Sequence, residues 1–274
     1  MGYRMIFSDM DGTLLRGTSE LSYRNQTMIQ RAMKQGIDFV ICTGRGIYGV
    51  EPFLKQLNAI GQKGYVICQN GAAIYDLQNI EIVRKHNFTA DDLRPVIELA
   101  RKVGVTVYLY DDRNFMVEKE TPMVREYCKV MRVDMRILPD GLTYEGNFTK
   151  CLLEGSPEKL AYIQETTKSA VQNKLNSFYS SATYLEFVKT GVSKGRALQE
   201  TVAEAGVALS DVIAIGDSDN DLSMIQTAGL GIAVANGQPH VKAAADYITK
   251  ANCDQDAVAE AIAHFIFGET LTEI

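Results

Sequence analysis

Asp9-Met10-Asp11-Gly12-Thr13 presents two carboxylates two positions apart, directly after the apolar run Met5-Ile6-Phe7. An apolar run broken by a turn residue reads as a buried strand. Side chains at i and i+2 of an extended chain share a face, so Asp9 and Asp11 leave the strand's carboxyl end together. Two acids this close repel unless one is protonated or a cation lies between them, and a magnesium ion would serve. Gly12 permits a sharp turn, and the Thr13 hydroxyl can donate beside the acids. Taken alone, Asp-Met-Asp-Gly reads equally as an ordinary polar turn.

A second acidic cluster, Gly216-Asp217-Ser218-Asp219-Asn220-Asp221, follows the apolar run Val212-Ile213-Ala214-Ile215. The alternation of Asp217, Asp219 and Asp221 is not that of a calcium loop. The sixth position is Leu222 where glycine is required, and the twelfth is Ala228 where glutamate is required. A solvated helix start is the plain alternative, since acids favour first turns. Asp9, Asp217 and one backbone carbonyl would leave magnesium, with its about six oxygens, room for water and a phosphate oxygen. Thr43 closes the run Phe39-Val40-Ile41-Cys42 and offers a hydroxyl and nearby amides to that phosphate. Lys194 stands at a helix start, where a cation opposes the helix dipole; an anion would explain it, and a surface lysine is the bland reading.

The elements that must position these groups follow from periodicity. Ser22 caps a helix with Met28, Ile29, Ala32 and Met33 on its apolar face, ended by Gly36. A strand over 39–42, a helix over about 47–57 and a strand over 65–68 follow, the last tipped by Gln69-Asn70-Gly71. Strand–helix–strand alternation predicts a parallel sheet with right-handed crossovers, whose carboxyl edge carries the active site. The rhythm changes after a hairpin over 72–83. Adjacent strands over 105–110 and 115–118, then 175–179 and 184–188, predict an antiparallel sheet with helices on one face. The parallel rhythm resumes at Gly191 and ends in a helix over about 254–267, whose stripe Val258, Ala261, Ile262 and Phe265 reads as core packing. The expected domains are a core of residues 1–84 and 189–274 and an inserted α+β domain of residues 85–188.

The chain has 274 residues and a net charge of −6, with an ordinary globular composition. An acidic balance argues against nucleic acid and anionic membranes as partners. Five dispersed cysteines without a CxxC pair fit reduced thiols, and no leader or membrane-spanning run is visible, so a cytoplasmic location is expected. His86, His240 and His264 are scattered in the sequence away from the motifs, so structural or surface roles are expected.

Asp9-Met10-Asp11-Gly12-Thr13, Thr43-Gly44-Arg45, Lys194-Gly195 and Gly216–Asp221 occur in the order and spacing of the haloacid dehalogenase (HAD) superfamily. The insert between Thr43 and Lys194, with Asn70-Gly71-Ala72 and Gly191-Val192-Ser193-Lys194-Gly195, resembles its Cof-type branch, whose cap is of class IIB. The resemblance implies an α/β fold: a Rossmann-like parallel-sheet core with an inserted, mobile α+β cap. It also implies magnesium-dependent hydrolysis of a small phosphate ester, such as a sugar phosphate. Asp9 then matches the nucleophile that forms an aspartyl phosphate, and Asp11 the general acid and base. Asp9, the Asp11 carbonyl and Asp217 match the magnesium ligands, with Asp221 behind them orienting Lys194 or a metal-bound water. Thr43 and Lys194 match the phosphate binders, and Asn220 a position near the phosphate. Met10, Gly12 and Gly44, in the same turns, are expected to bind the substrate or its phosphate, while Arg45 and Asn70 are expected to face the substrate or the cap.

Two departures are visible. Asn236-Gly237-Gln238 replaces the usual Asn-Ala and should affect only local packing, and Asp254-Gln255-Asp256 replaces an Asp-Gly-Val type ending with no evident consequence. A phosphomutase of the same superfamily would return the phosphoryl group to the sugar. A non-enzymatic metabolite-phosphate sensor would usually lack a catalytic acid, and here Asp9, Asp11, Lys194 and Asp217 are all present. A monomer or weak homodimer is expected.

Overall fold

The computed structural model describes residues 2–17, 19–112, 114–131 and 133–270. The chain opens with β1 (Met5–Ser8), α1 (Tyr23–Lys34), β2 (Asp38–Cys42), α2 (Ile47–Gln56), β3 (Tyr65–Cys68), β4 (Ala73–Asp76) and β5 (Ile82–Lys85). Next come α3 (Ala90–Val103), β6 (Thr106–Tyr110), β7 (Phe115–Val117), α4 (Pro122–Met131), β8 (Met135–Ile137), β9 (Lys150–Glu154), α5 (Pro157–Val171), β10 (Leu175–Ser181) and β11 (Tyr184–Lys189). The last stretch is α6 (Lys194–Ala205), β12 (Val212–Gly216), α7 (Leu222–Thr227), β13 (Leu230–Ala233), α8 (Pro239–Ala244), β14 (Tyr247–Ile248) and α9 (Ala257–Ile262). Two compact units result. The first runs to Gly44, includes Val50–Val83 and resumes at Ser193; the second is Arg45–Gly49 with Arg84–Val192.

The first unit is organised by an eight-stranded sheet in the order β14-β13-β12-β1-β2-β3-β4-β5. β1 is central and pairs in parallel with β12 on one side and β2 on the other. Every residue of β1 and β12 is buried, as two-sided coverage of a parallel sheet requires. One face of β1 and β12, through Met5, Phe7, Val212 and Ala214, packs on Ala197, Leu198 and Val202 of α6 and Met224 of α7. The register sets Ser8 beside Ile41 and Ile215, so the chain ends at Asp9, Thr43 and Asp217 reach one edge together. The order reverses at β1, the switch point where such sheets open a crevice. β4 folds back antiparallel on β3 as the hairpin reading expects.

The second unit holds a six-stranded sheet in the order β10-β11-β9-β6-β7-β8. Its pairings are antiparallel except β7 with β8, which run parallel. That exception arises because α4 makes a crossover between them. The helices also divide between faces. Val107, Leu109, Leu153 and Phe187 pack against Leu93, Val96 and Ile97 of α3 and Leu160 and Ile163 of α5. The alternate residues Tyr108, Tyr110 and Leu152 pack instead on Val124 and Tyr127 of α4. The expectation of helices on one face therefore holds for α3 and α5 and fails for α4.

The C-terminal helix also differs from its reading. It begins at Ala257, because Asp256 takes a left-handed conformation with φ +69° and breaks it from the short helical turn before. Arg16 fixes Asp256 there by a two-pronged contact of 2.7 and 3.1 Å. The Asp254 carboxylate accepts from the Gly17 N–H at 3.0 Å. The Asp254–Asp256 departure thus anchors the loop that leaves the Asp9–Thr13 turn. Among the described residues no helix is long and apolar enough to cross a membrane.

Candidate active site

Asp9 ends β1, and its N–H still donates across to the Ile215 carbonyl at 2.9 Å, so the sheet itself holds the first acid. The next residues turn away at once. The Met10 side chain is buried in the core, and its carbonyl accepts from the N–H groups of Leu14 and Leu15. Gly12 sits at φ +86°, and a Cβ there would lie 2.8 Å from a carboxylate oxygen of Asp217. Glycine at this position therefore serves both the turn and the close approach of the two acidic loops. Thr13 completes that approach, its hydroxyl donating to Asp217 Oδ1 at 2.8 Å.

Lys194 arrives from the opposite direction, as the first residue of α6. Ser193 caps that helix, accepting from the Arg196 N–H at 3.1 Å. The chain before α6 presses on the end of β3, where a Cβ on Gly71 would lie 2.5 Å from the Ser193 carbonyl. Gly71 at φ +99° removes that conflict and accounts for the Asn70-Gly71 pair in the sequence. So placed, Lys194 is fully buried and donates to Asp9 Oδ1 at 2.5 Å and to Asp221 Oδ1 at 2.6 Å. A lysine at a helix start meets the wrong end of the dipole. Here two carboxylates compensate.

Asp221 is also fully buried, and its other oxygen accepts from the backbone N–H groups of Asp217 at 2.9 Å and Ser218 at 3.0 Å. It therefore shapes the acidic loop as well as gripping Lys194. Oxygens of Asp9, Asp217 and Asp221 all lie within 4.8 Å of one another. The crowding shows in their protonation. Burial, then Asp221, hold the Asp9 carboxyl well above its usual range, against the pull of Lys194. Burial, then Asp221, push Asp217 up to about 6. Asp11 is half-buried, and its charge adds to the pressure on both. Lys194 is driven the other way. Burial disfavours its charge, but Asp221 and Asp9 more than offset this and raise it above the ordinary lysine range.

This donor set fits a hard divalent cation. It is all oxygen, it crowds buried carboxylates around one lysine, and added positive charge would relieve their repulsion. Asp9 and Asp217, with Asp221 behind them, are the residues that can hold such an ion.

The remaining residues singled out in the sequence divide. Thr43 is buried at the end of β2, its N–H donating to Ile67 and its carbonyl accepting from the Asn70 N–H, each at 2.9 Å. Gly44 lies against Asn70, whose Oδ1 would be 3.2 Å from a Cβ there. Asn70 is buried in a left-handed conformation and accepts from Asn220 Nδ2 at 3.0 Å. Asn220 in turn accepts from the Ser218 hydroxyl at 2.7 Å. Arg45 is buried and falls in the second unit, where its charge bears on Tyr127. His240 is half-exposed. Its Nε2 lies 2.5 Å from Asp219 Oδ1, because the chain after β13 folds back beside the acidic loop. Asn25 was silent in the sequence, yet its amide donates to the Leu14 carbonyl and accepts from the Ala259 N–H, each at 2.9 Å, pinning the turn's exit. A polar residue on a helix's apolar face was the available signal.

Comparison with known proteins supplies context. The sequence profile of the haloacid dehalogenase-like hydrolases matches residues 6–262. The protein YxeH of Bacillus subtilis is 30% identical over 271 residues, which are 97% of this chain and 100% of that protein. The 5-amino-6-(5-phospho-D-ribitylamino)uracil phosphatase YcsE of the same organism is 30% identical over 263 residues, 96% of each chain. Among solved structures, a haloacid dehalogenase-like hydrolase from Bacteroides thetaiotaomicron superposes with a TM-score of 0.88 at 34% identity, covering 96% of this chain and 99% of that one.

Proposed function

The chain belongs to the haloacid dehalogenase-like hydrolases, and from that premise we propose that it is a magnesium-dependent phosphatase of small phosphorylated metabolites, acting through an aspartyl phosphate. The observation that carries this reading is the grip of Lys194 on Asp9 and Asp221 beside Asp217. A buried acid with a charged partner, at a sheet edge lined by further acids, is a nucleophile in need of a phosphate.

Asp9 attacks phosphorus through a carboxylate oxygen, forming an acyl phosphate as the ester's P–O bond breaks. Asp11 gives its proton to the departing oxygen. It then takes a proton from the water that cleaves the aspartyl phosphate, releasing phosphate and restoring Asp9. Lys194 draws Asp9 toward its ionised form against burial and the neighbouring acids and, with Thr43, holds the phosphate oxygens. Asp9, the Asp11 carbonyl and Asp217 would hold the magnesium ion. The chemistry it supplies is neutralisation of the phosphate charge that otherwise repels a carboxylate nucleophile. Asn70 and Asn220 line the same edge.

On this reading residues 1–84 and 189–274 form the catalytic core, and residues 85–188 a cap that selects the leaving group. YcsE, a relative named for a phosphorylated ribityl compound, supports a sugar-like or polyol phosphate as substrate. Phosphate release from a panel of phosphorylated sugars and polyols tests the reading, first with magnesium and then with excess chelator. Release that stops on chelation is expected. Undiminished turnover contradicts the magnesium assignment, and an isomerised ester without free phosphate would make the protein a mutase.

A further inference from the structure

Asn236 lies in the loop between β13 and α8, and the sequence suggests only a packing role for it. Its side chain is exposed yet holds two backbone groups from distant parts of the chain. Nδ2 donates to the Gly12 carbonyl at 2.7 Å, and Oδ1 accepts from the Cys253 N–H at 2.8 Å. The Cys253 donor decides which way the amide points, because an N–H can be met only by the amide oxygen. The nitrogen is thereby aimed at Gly12. That target is the glycine at φ +86° directly after Asp11, where no side chain of its own steadies the peptide.

The same loop also grips the second acidic turn. The Gln238 N–H donates to the Asp217 carbonyl at 2.8 Å, and the Gly237 N–H donates to Val234 at 2.8 Å to close the turn. Gly237 packs beside that turn, where a Cβ would be in ordinary contact with the Asp217 Cα at 3.5 Å. One three-residue loop thus touches the turn bearing Asp9 and Asp11 and the turn bearing Asp217. Besides it, the Thr13 hydroxyl bridges the same two turns.

We propose that Asn236 is a positioning residue for the carboxylate cluster. Through the Gly12 carbonyl it sets the Gly12–Thr13 peptide, one residue past Asp11, and with the Gln238 backbone it fixes the separation of the two acidic turns. Magnesium affinity and the rate of phosphoryl transfer then depend on a residue that touches neither. The inference rests on the proposed function: its first readout on the magnesium site, its second on phosphate release.

The experiment compares the wild type, Asn236→Ala, Cys253→Pro and Lys242→Ala. Lys242 is the control: its Nζ donates to the Ala235 carbonyl of the same loop at 3.2 Å without reaching Gly12. Cys253→Pro deletes the N–H that orients Asn236, at the first position of a short helical turn where proline is tolerated. Magnesium is titrated calorimetrically without substrate, and kcat and KM are then measured on a phosphate ester. Asn236→Ala is expected to weaken magnesium binding about tenfold, the usual cost of losing a group that orients ligands. Its kcat should fall by a similar factor with KM within about twofold. Cys253→Pro should weaken magnesium binding several-fold less, and Lys242→Ala not at all. Wild-type magnesium affinity in both Asn236→Ala and Cys253→Pro overturns the proposal. So does an equal loss in Lys242→Ala, which would mean general loosening of the loop. Failure of the wild type to release phosphate would count against the proposed function alone, and the magnesium titration would still decide this inference.

Discussion

In the first unit three carboxylates, Asp9, Asp217 and Asp221, share one buried lysine. In the second, Lys150 and Glu186 pair at 3.4 Å, both buried. Around that pair Tyr108 and Tyr184 direct their hydroxyls to Glu154, and the hydroxyls of Tyr110 and Tyr127 bond to each other. Burial and acidic or phenolic neighbours raise the pKa of Tyr108, Tyr110 and Tyr184 above the usual range, which keeps these phenols neutral. Among the described residues of the second unit, that pair sets one buried cation against one buried acid. Among the described groups, the first unit's edge sets three acids against one buried lysine. Buried charges are retained at a cost in stability. On the proposed reading that cost serves chemistry at the edge, where a bound cation would complete the balance.

The most severe way to break this contrast is to remove the charge that reacts. Asp9→Asn should lower phosphate release by roughly 10⁴–10⁶-fold, the scale seen when a nucleophile is deleted. Steady-state assays at saturating magnesium measure it, and a loss below tenfold would remove Asp9 from the chemistry. Asp11→Asn should cost less, on the order of 10²–10⁴-fold, because it removes proton transfer but leaves the nucleophile. The loss should shrink for esters whose leaving group departs without a proton, so a uniform loss across leaving groups would exclude the acid role.

In the second unit the expected damage is to stability. Lys150→Ala leaves Glu186 buried without its cation and should cost about 3–5 kcal/mol, while Lys150→Met with Glu186→Leu should recover most of it. Denaturant titration reads both, and a double variant no better than the single would show that the pair is more than self-balancing. The smallest effect concerns Asp92, which caps α3 with Thr89. Burial alone would raise its carboxyl, but Lys174 and the backbone and hydroxyl of Thr89 bring it below the usual range. A depressed folded-state carboxyl contributes stability that is complete above the unfolded range, near about pH 4, and is lost as pH falls through the folded value. Thr89→Ala should cost about 1 kcal/mol near neutrality, and the gap to wild type should narrow in acid. A gap independent of pH would detach Asp92 from the cap.

Much of this was legible because strand ends are marked in sequence. Met5–Phe7 and Val212–Ile215 are apolar on both faces, and the acids that stop them fall at one edge by parallel pairing alone. Lys194 was legible as a cation in the wrong place on a helix. What escaped depends on tertiary contact. β8 is three residues long and largely exposed, so it carries no alternation to read. The apolar stripe of α4 announces a buried helix without saying which sheet face it covers. Asp256 starts the last helix late because Arg16 holds it in a left-handed conformation, which a carboxylate tolerates but does not advertise. Asn236 and His240 matter through a fold-back that brings residues of one loop against two others far away in the chain.

The central claim is that Asp9 carries the phosphoryl group. Wild-type enzyme mixed with a radiolabelled phosphate ester and magnesium, quenched in acid within the first turnover and digested, tests it directly. The account expects label on the peptide that contains Asp9, discharged by mild base as an acyl phosphate is, and absent from Asp9→Asn treated alike. Label on any other peptide, or undiminished labelling of Asp9→Asn, would contradict it.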